Sequence, residues 1–580
     1  MVAVPLVEAA LRPFRTGIPG AAAIVQHLTL WVAFLGAALA AREGKLLALA
    51  TGEMLSGGRL RSVVRVASAF VGAAASVLLC GASIELVQID RADGATIGFG
   101  IPVWLAQLAL PVAFALIALR LVWRAADSWP GRLVASSGLA VGGLLAVFPL
   151  WLDGAAKLPG LLLLVVAAFL GTPIFAVLGG VAVFLFLSEG IPAAAVPIET
   201  YRLSVSPTLP AIPLFTLAGY LLAQGKAPER LVRVFRAWVG WMPGGTAVVA
   251  AVLCAFFTVF TGGSGVTILA LGGLLVVALE ADGYRDRFSL GLLTSSGSLG
   301  LLFPPALPLI LYGIVAQVPI QDLFVGGLLP GALMVGLIAA WGVREGIRSK
   351  TRRQPFRGRE ALRVLWAGKW ELAIPILVLT AIFSGIATLV EAAALTAAYA
   401  FVVQCFVHRD ISLRRDLFRV VTECTVLVGG VLIILGVAMG LTSYLVDAQF
   451  PMLALEWAEK YLGSKLLFLL GLNLFLLVVG CLMDIFSAIV VVVPLIVPLG
   501  VAFGIDPVHL GIIFVANLEL GYLTPPVGLN LYLASYRFER PLLAIWRSVL
   551  PPLAILGVGV LLVTYVPWLT LGLLRLLGRG

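Results

Sequence analysis

The chain has 580 residues, of which 61% are hydrophobic and only 12% charged, and its net charge is +10. A soluble domain carries about 25% charged residues, so this composition excludes a soluble globular protein and indicates a chain solvated mainly by lipid. No basic groove interleaved with aromatic residues is visible, which argues against nucleic-acid binding. In a membrane protein the positive charge indicates instead which loops are cytoplasmic and which segments contact lipid headgroups.

The first part of the chain, residues 1–152, predicts a scaffold-like membrane domain of four helices. Each apolar run is close to the ~20 residues that an α-helix needs to cross a bilayer. The predicted spans are residues 21–41, 63–83, 101–119 and 133–151. Between the first two, the charged stretch from Arg42 to Arg65 is too polar to cross and predicts an amphipathic helix on the membrane surface. A short linker at residues 153–160 follows.

The span count near residues 150–190 contains an inconsistency. Arginines between the third and fourth spans place that loop in the cytoplasm, so residue 153 lies outside. The charges further along the chain require residue 158 to lie inside if 158–188 forms one span. A break at Gly171-Thr172-Pro173 would reconcile the two requirements.

The rest of the chain divides into two corresponding halves, residues 161–343 and 372–580. They are separated by a basic stretch, residues 344–371, which holds nine lysines and arginines. Because positively charged loops stay in the cytoplasm, this stretch predicts a cytoplasmic loop.

Each half contains one copy of a helix-breaking phrase. Leu299-Gly300-Leu301-Leu302-Phe303-Pro304-Pro305 recurs as Leu520-Gly521-Tyr522-Leu523-Thr524-Pro525-Pro526, so that Gly521 corresponds to Gly300. A proline pair interrupts a helix, and unpaired backbone groups inside a bilayer are tolerated only beside protein or a water-filled cavity. Two broken helices at matching places in two halves point to the binding site of a transporter. The alternative is a pair of proline kinks without a ligand.

An interrupted apolar segment precedes each broken helix, at Thr246–Leu279 and Leu466–Val501. Each can form one long helix or a re-entrant hairpin, with turns expected at the glycines after Thr261 and at Met483-Asp484. The flanking charges place the first hairpin at the cytoplasmic face and the second at the outer face. The predicted fold class is therefore an all-α polytopic membrane protein built on an inverted repeat.

The broken helices and turns supply oxygen ligands that suit a hard cation such as sodium, and amide ends that suit an anion. Without His or Cys ligands, a transition metal is not expected. The first predicted cation shell comprises Thr261 and the carbonyls around Gly300, Phe303 and Pro305, and the second comprises Met483, Asp484, Gly521, Thr524 and Pro526. The residues predicted to bind substrate are Gly263, Ser264, Thr267, Ser296, Ser487, Asn517 and Asn530. The competing interpretation for the hydroxyls and asparagines is packing and hydrogen bonding between helices.

Placing an ionisable side chain inside a membrane costs free energy, so such a residue is expected to have a functional or structural role. Asp484 lies at the second expected turn, where it serves the second cation or a gate. Glu519 lies beside the second broken helix and is expected to cap its freed amides. For Glu391 a role as the acid of a helix N-terminus is preferred. No nucleophile motif, phosphate-binding loop or carboxylate pair on one helical face is present, so the chain is not expected to be an enzyme, to hold an organic cofactor or to use ATP.

These motifs resemble those of the tripartite ATP-independent periplasmic (TRAP) transporters, in the form where the small and large membrane subunits are fused. The match is most specific from Gly504 through Asn530 and covers roughly residues 160–570. Residues 20–151 resemble the small subunit more weakly. Further matching segments are Gly171-Thr172-Pro173, Leu209 to Phe215, Trp241 to Gly245, Glu391 to Ala394 and Ile101 to Trp104.

The resemblance implies an elevator-type sodium symporter in which the two hairpins and broken helices move against a scaffold. It assigns about two sodium sites to the two residue sets given above, and it implies a separate periplasmic binding protein that delivers an organic acid. The sequence departs from the family pattern at Thr261-Gly262-Gly263-Ser264, where the family carries Ser-Gly-Ser-Ser. Thr267 stands where some members carry an acid thought to contact substrate.

The sequence and its resemblance to this family thus predict sodium-coupled import of an organic acid anion across the bacterial inner membrane. In the family the acid is commonly a dicarboxylate or sialic acid. One alternative is a sodium/anion symporter of the divalent-anion type that works without a binding protein. An ion channel is expected to have a continuous polar pore, and the paired hairpins argue against one. A membrane-embedded enzyme or a proton pump is expected to carry chains of Lys, Glu and His residues inside the membrane, and such residues are sparse here. The sequence leaves open the choice between monomer and dimer, the particular acid and the sodium stoichiometry.

Overall fold

The computed structural model describes residues 1–48, 59–147, 157–353, 355–525 and 527–579. Within these ranges nearly all regular structure is helical, apart from an antiparallel pair of two-residue strands, β1 (Thr96–Ile97) and β2 (Ile101–Pro102). Eleven helices in the described ranges are long and apolar enough to cross a membrane. The prediction of an all-α polytopic membrane protein is confirmed at this level.

The chain forms two compact units. The first comprises Met1–Pro213, Thr422–Ala454 and Val490–Pro494, and the second comprises Leu214–Val421, Leu455–Ile489 and Leu495–Gly580. The helices up to residue 224 are α1 (Ala3–Leu11), α2 (Ala21–Glu43), α3 (Arg59–Asp93), α4 (Val103–Gln107), α5 (Ala109–Arg124), α6 (Trp129–Val147), α7 (Lys157–Phe169), α8 (Ile174–Ser188), α9 (Ala195–Ser204) and α10 (Ala211–Gln224).

The first two spans predicted for the first part lie within α2 and α3. The third begins in β2 and continues through α4 and α5. Residues 133–147 of the fourth lie within α6, and residues 148–151 lie outside the described ranges. α3 is much longer than predicted because its charged ends continue the helix beyond the apolar run. Residues 59–65, which were expected to belong to a surface helix, are the first turns of α3, so that part of the prediction is wrong. Residues 49–58 of the expected surface helix lie outside the described ranges.

Glycines allow close helix packing in the first unit. α6 packs along α3, and a Cβ added to Gly142 would lie 3.0 Å from the Cα of Ala74. Gly138, one turn earlier, lies in the same way against the backbone of Phe70. Small residues four apart let two membrane helices approach until their backbones touch, which is how such helices associate without a hydrophobic driving force.

The break expected at Gly171-Thr172-Pro173 is present. α7 ends at Phe169 and α8 begins at Ile174, with Gly171 at a φ of 87° between them. The two short helices pack against each other. Of the expected linker at 153–160, residues 153–156 lie outside the described ranges and the remainder forms the first turn of α7.

From residue 227 onward the helices fall into two series. The first series is α11 (Ala227–Val239), α12 (Gly245–Thr261), α13 (Ser264–Ala281), α14 (Asp286–Ser296), α15 (Leu307–Ala316), α16 (Ile320–Arg348), α17 (Gly358–Ala367), α18 (Lys369–Phe383) and α19 (Leu389–Val402). The second series is α20 (Leu417–Asp447), α21 (Phe450–Leu462), α22 (Lys465–Leu482), α23 (Ile485–Ala502), α24 (Pro507–Gly521), α25 (Leu529–Phe538), α26 (Leu542–Tyr565) and α27 (Trp568–Leu576).

Helix boundaries repeat between the two series with a nearly constant spacing. The starts of α13 and α23, at Ser264 and Ile485, are as far apart along the chain as the two copies of the Pro-Pro phrase, and so are the ends of these helices. The starts of α15 and α25, at Leu307 and Leu529, are separated by one residue more. The repeat of the Pro-Pro phrase therefore extends to the surrounding secondary structure, with one extra residue in the second copy.

The two interrupted apolar segments each form two helices instead of one. α12 and α13 pack against each other. In the second segment α22 packs along α24. The two segments match in the positions of their turns.

The basic stretch at residues 344–371 is largely helical, although the sequence predicts a loop. Arg344 and Arg348 belong to the end of α16, α17 occupies the middle, and Lys369 begins α18. α17 has apolar residues along one face and charged residues along the other. A prediction that rests on the net charge of the segment therefore does not detect this helix. α17 and α18 meet at an angle of 64°.

Candidate functional site

The first broken helix is interrupted between α14 and α15, at residues 297–306, here called the first break. Its backbone folds into consecutive turns in which the Phe303 amide donates to the Gly300 carbonyl at 3.1 Å and the Ala306 amide donates to the Phe303 carbonyl at 2.9 Å. Pro305 is buried within the same turns. Each of these two carbonyl oxygens has a second lone pair, so both remain able to bind a cation.

The second broken helix is interrupted between α24 and α25, at residues 522–528, the second break. The Thr524 amide donates to the Gly521 carbonyl at 3.0 Å, and the Thr524 hydroxyl donates to the Leu520 carbonyl at 3.0 Å. Gly528, with a φ of 52°, turns the chain into α25. Pro526, one of the predicted cation ligands, lies outside the described residues. Both Pro-Pro phrases therefore interrupt their helices, as predicted.

The helices that flank the two breaks pack against each other. The side-chain amide nitrogen of Asn530, in the first turn of α25, donates to the Thr294 carbonyl at 3.3 Å and to the Ser298 hydroxyl at 3.5 Å. α14 packs against α25, and α15 packs against α24. In the second of these contacts the Tyr312 hydroxyl donates to the Pro507 carbonyl at 3.0 Å. This reciprocal packing brings residues from both halves of the chain into one place.

The turn between α12 and α13, residues Thr261–Ser264, is called the first tip, and it lies on the first break. Gly262 has a φ of 67°, and a Cβ added there would lie 2.6 Å from Cγ of Leu307. A Cβ added to Gly300 would lie 2.7 Å from that of Thr258. Glycine at these two positions lets the tip and the break approach closely.

Hydroxyl groups connect the first tip to the first break. The Thr258 hydroxyl donates to the Gly297 carbonyl at 2.8 Å and lies 2.7 Å from the Thr267 hydroxyl. The Thr261 hydroxyl lies 3.4 Å from the Thr267 hydroxyl and 3.4 Å from the Gly263 carbonyl. All three threonines are buried. Thr258 was missed by the sequence reasoning, although its position one turn before Thr261 places it on the same helix face.

Several buried polar atoms around this place lack partners. The hydroxyls of Ser264 and Ser296 and the amide oxygen of Asn530 have no hydrogen-bond partner within the described ranges. A Cβ added to Gly297, the residue after Ser296, would lie 3.5 Å from the Ser264 carbonyl oxygen, so the two serines are neighbours. An unpaired buried polar group costs about 1–3 kcal/mol. These atoms are therefore candidates to contact a polar ligand.

The turn between α22 and α23, residues Leu482–Ile485, is the second tip, and it is tied to the second break. The Ile485 amide donates to the Tyr522 hydroxyl at 2.5 Å, and the Gly528 amide donates to the Cys481 carbonyl at 3.2 Å. Met483 is extended and ends α22. Each tip therefore lies on the break of its own half.

Asp484 caps the N-terminus of α23. Its carboxylate accepts hydrogen bonds from the amides of Phe486 and Ser487, both at 3.0 Å, and from the Ser487 hydroxyl at 2.5 Å. An aspartate at this position stabilises a helix through both hydrogen bonding and the helix dipole. The structure thus gives Asp484 and Ser487 a local structural role in addition to the predicted roles in binding.

Asn517 makes contacts between helices. Its amide nitrogen donates to the Asn473 side-chain oxygen at 2.7 Å and to the Ile513 carbonyl at 2.9 Å, and the Thr564 hydroxyl donates to the same Asn473 oxygen at 3.1 Å. The three side chains join α22, α24 and α26. This is the interhelical role that the sequence left as the alternative to substrate binding.

The two remaining membrane acids have different environments. Glu391 forms a capping box with Thr388, whose amide donates to the Glu391 carboxylate at 2.7 Å, as predicted. Glu519 is fully buried, and neither of its carboxyl oxygens has a partner in the described part of the chain. The expectation that Glu519 caps the freed amides is therefore wrong, because the turns of the second break satisfy one another.

The chain matches two families of known proteins. Residues 161–569 match the family described as "Tripartite ATP-independent periplasmic transporter, DctM component", and residues 1–131 match the corresponding DctQ component. An isethionate TRAP transporter permease protein DctMQ from Oleidesulfovibrio alaskensis is 31% identical over 513 residues, which cover 86% of this chain and 79% of that protein.

Further relatives match the large-subunit part. The C4-dicarboxylate TRAP transporter large permease protein DctM of Vibrio cholerae is 34% identical over 64% of this chain and 86% of that protein. The ectoine/5-hydroxyectoine large permease protein UehC of Ruegeria pomeroyi is 29% identical over 70% of this chain and 95% of that protein. Among solved structures, the YdaH transporter of Alcanivorax borkumensis has a TM-score of 0.45 and 16% identity, over 65% of this chain and 86% of that chain.

The sequence resemblance is confirmed by the two family matches, which together account for most of the chain. The candidate spans agree with the multi-pass inner-membrane location of such permeases. The chain belongs to the tripartite ATP-independent periplasmic transporter family, carries its DctQ and DctM components in one polypeptide, and is a transport protein, not an enzyme.

Proposed function

We propose that the protein imports an organic acid anion together with sodium ions, by an elevator movement of the part that contains the two tips and the two breaks. One observation carries the proposal: Asn530 of the second half binds Thr294 and Ser298 of the first half, so that both interrupted helices share one buried polar region. Interrupted backbone at membrane depth is expected only where it lines such a region.

The proposed sodium ligands are oxygen atoms. The first set is Thr261, Gly300, Phe303 and Pro305, and the second is Met483, Asp484, Gly521, Thr524 and Pro526. The described residues contain no group of three or more His, Cys, Asp or Glu side chains that could hold a metal ion, so a hard monovalent cation bound by carbonyls and hydroxyls fits this chemistry better than a transition metal. The first set is better supported, because the hydroxyl of Thr258, one turn before Thr261, donates to the Gly297 carbonyl of the first break, whereas the Asp484 carboxylate is engaged as a helix cap.

The proposed substrate position is beside the N-terminal ends of α13 and α25. Gly263, Ser264 and Thr267 lie at the first of these ends and Asn530 at the second, with Ser296 adjacent. Free amides and the helix dipole favour an anionic group at such a position. Relatives are named for isethionate, C4-dicarboxylates and ectoine, and we propose that the substrate here is a small organic acid of that general kind.

A periplasmic binding protein is the proposed partner, in keeping with the name of the family. The coupling is energetically reasonable. Each net positive charge that moves inward gains ~2.3 kcal/mol per 100 mV of membrane potential. More sodium ions than carboxylate charges per cycle would therefore drive accumulation.

Uptake into proteoliposomes tests the proposal. The full chain is reconstituted and supplied with a candidate periplasmic binding protein of the TRAP type from the same organism. Uptake of labelled succinate and labelled isethionate is measured under an inward sodium gradient or the same gradient of choline. We expect uptake of at least one acid only with both sodium and the binding protein. Full-rate uptake in choline would refute sodium coupling, and full-rate uptake without the binding protein would favour the divalent-anion symporter alternative.

A further inference from the structure

A polar cavity separate from the tips and breaks lies between α11 and α17. It has a volume of about 240 Å³, and it is lined by Arg233, Arg236, Ala237, Pro355, Arg357, Glu360 and Val364. The two helices pack against each other, and the Trp238 indole donates to the Ala361 carbonyl at 3.3 Å. We propose that this cavity binds the phosphate group of an anionic phospholipid of the inner leaflet.

The cavity holds guanidinium groups that are not fully used. Arg236 donates to both carboxylate oxygens of Asp282, at 3.1 and 3.0 Å, but its buried Nε has no partner within the described residues. Among the described residues, the exposed Arg233 donates only to the Glu229 carbonyl, at 3.4 Å, and Arg357 has no ion pair. These groups face one carboxylate of the lining, that of Glu360. Guanidinium groups match the geometry of phosphate oxygens through paired hydrogen bonds.

Exposed aromatic and aliphatic side chains lie on α17 and just before it. Trp366 is 72% exposed, Leu362 is 63% exposed and Phe356 is 52% exposed. The Lys369 ammonium lies 3.5 Å from the centre of the Trp366 ring. Tryptophan and lysine in this combination are typical of the level of lipid headgroups, where one end of a side chain is apolar and the other is wet.

The orientation of α17 fits the same level. It meets the apolar helix α18 at 64°, so if α18 crosses the membrane, α17 lies closer to the membrane plane than to its normal. An amphipathic helix in this position buries its apolar face among the headgroups. A site built only for a soluble anion would not need exposed apolar side chains on the helix that lines it, which is why a lipid is favoured over free phosphate.

The charge of the segment assigns the leaflet. Residues 344–371 carry nine basic residues, which places them at the cytoplasmic face, where anionic lipids are attracted to such clusters. α11 leads directly into α12, the helix that ends at the first tip. A headgroup held between α11 and α17 therefore anchors the start of the first tip segment to the membrane surface.

Lipid binding to the purified full chain tests the proposal. Phosphatidylglycerol is titrated into the detergent-solubilised protein, and the bound fraction is measured by native mass spectrometry. We expect R233Q/R357Q to weaken binding by about a hundredfold, because each arginine contributes a charge-assisted hydrogen bond. The matched control R359Q/R363Q removes two exposed charges of the same segment that do not line the cavity, and it is expected to stay within about fivefold of the parent.

Two further measurements test whether the cavity binds a lipid or a soluble phosphate, and whether the substitutions act on binding or on folding. An excess of inorganic phosphate is expected not to displace the lipid, and displacement would mean that the cavity binds a soluble anion instead. R233K/R357K keeps the positive charges but loses the planar guanidinium groups that form paired hydrogen bonds with phosphate. It is expected to bind the lipid with intermediate affinity and to have an unchanged melting temperature. Parent-like binding by R233Q/R357Q, or an equal loss in the R359Q/R363Q control, would overturn the proposal.

Discussion

Gly521 lies directly against Gly480, and a Cβ added to Gly521 would come within 2.6 Å of the Gly480 Cα. The first half contains the equivalent contact, because a Cβ added to Gly300 would lie 2.8 Å from the Val259 amide nitrogen. The two contacts are related by the same repeat, since Gly300 corresponds to Gly521 and Val259 corresponds to Gly480. Each broken helix is therefore held against the last turn of the preceding tip helix by a glycine that cannot be enlarged without moving backbone.

Gly521→Ala is expected to destabilise the protein. The new methyl group meets the backbone of Gly480 and Cys481 in α22, and overpacking of this kind costs about 1–3 kcal/mol. The measurement is the melting temperature of the purified protein in detergent. Gly557→Ala is the control, because Gly557 lies within α26 and a Cβ there meets nothing within 4 Å. Equal melting temperatures for Gly521→Ala and the parent would show that the close approach of α22 and α24 is not structurally important.

Thr258→Val is expected to weaken sodium binding. The substitution keeps the shape of the side chain but removes the hydroxyl that binds the Gly297 carbonyl and the Thr267 hydroxyl. Without this link the first tip no longer holds the first break in place, and Thr261 loses its alignment with the proposed carbonyl ligands. A tenfold weaker site lowers the stabilisation by saturating sodium by about 1.4 kcal/mol.

The measurement for Thr258→Val is the rise in melting temperature in sodium chloride relative to choline chloride. Thr396→Val serves as the control, because within the described ranges the Thr396 hydroxyl bonds only to the Ala392 carbonyl of its own helix. The prediction fails if both valine variants respond to sodium as the parent does.

Substitutions of Asp484 separate its two roles. Asparagine caps a helix about as well as aspartate, so Asp484→Asn is expected to keep the melting temperature, whereas Asp484→Ala loses about 0.5–2 kcal/mol. If the carboxylate also binds the second sodium ion, Asp484→Asn weakens the sodium response although the cap is intact. A normal sodium response in Asp484→Asn would assign the residue to capping alone.

The sequence predicts the breaks and the tips well because their causes are local. A proline pair interrupts a helix wherever it lies, and Gly262 supplies a backbone conformation, with a φ of 67°, that few other residues adopt. The break at Gly171-Thr172-Pro173, which the sequence offered as a way to reconcile the charges on either side, also has a local cause in Gly171, with a φ of 87°, and the following proline. In each case two or three adjacent residues determine the result.

The sequence does not predict the contacts that depend on distant partners. Asn530 finds its acceptors 232 and 236 residues away, and the role of Thr258 depends on Gly297, 39 residues along the chain. Glu519 was expected to cap amides because it is near them in sequence, yet turn hydrogen bonds within the break satisfy those groups. The basic stretch was predicted to be a loop because its nine basic residues decided the prediction, and the apolar residues of α17 were not recognised as one face of a helix.

A buried charge cluster shows the same dependence on long-range contacts and gives the last prediction. Arg230 of α11 donates to Glu371 at 2.8 Å through Nε and to Asp410 at 2.7 Å through Nη1. Glu371 is fully buried, and it lies 141 residues from Arg230 in the sequence. From the sequence alone, Arg230 reads only as a marker of the cytoplasmic face.

Arg230→Met is expected to lower the free energy of unfolding by about 3–5 kcal/mol, because it leaves the buried Glu371 carboxylate without its cation. The double variant Arg230→Met/Glu371→Gln removes that stranded charge and is expected to recover part of the loss. Arg419→Met, which breaks the exposed pair with Asp416, should cost less than about 1 kcal/mol. Melting temperatures of the three variants in detergent check these expectations. A loss for Arg230→Met no larger than that for Arg419→Met would mean that water reaches the Glu371 carboxylate and that α11 is not held to α18 by this ion pair.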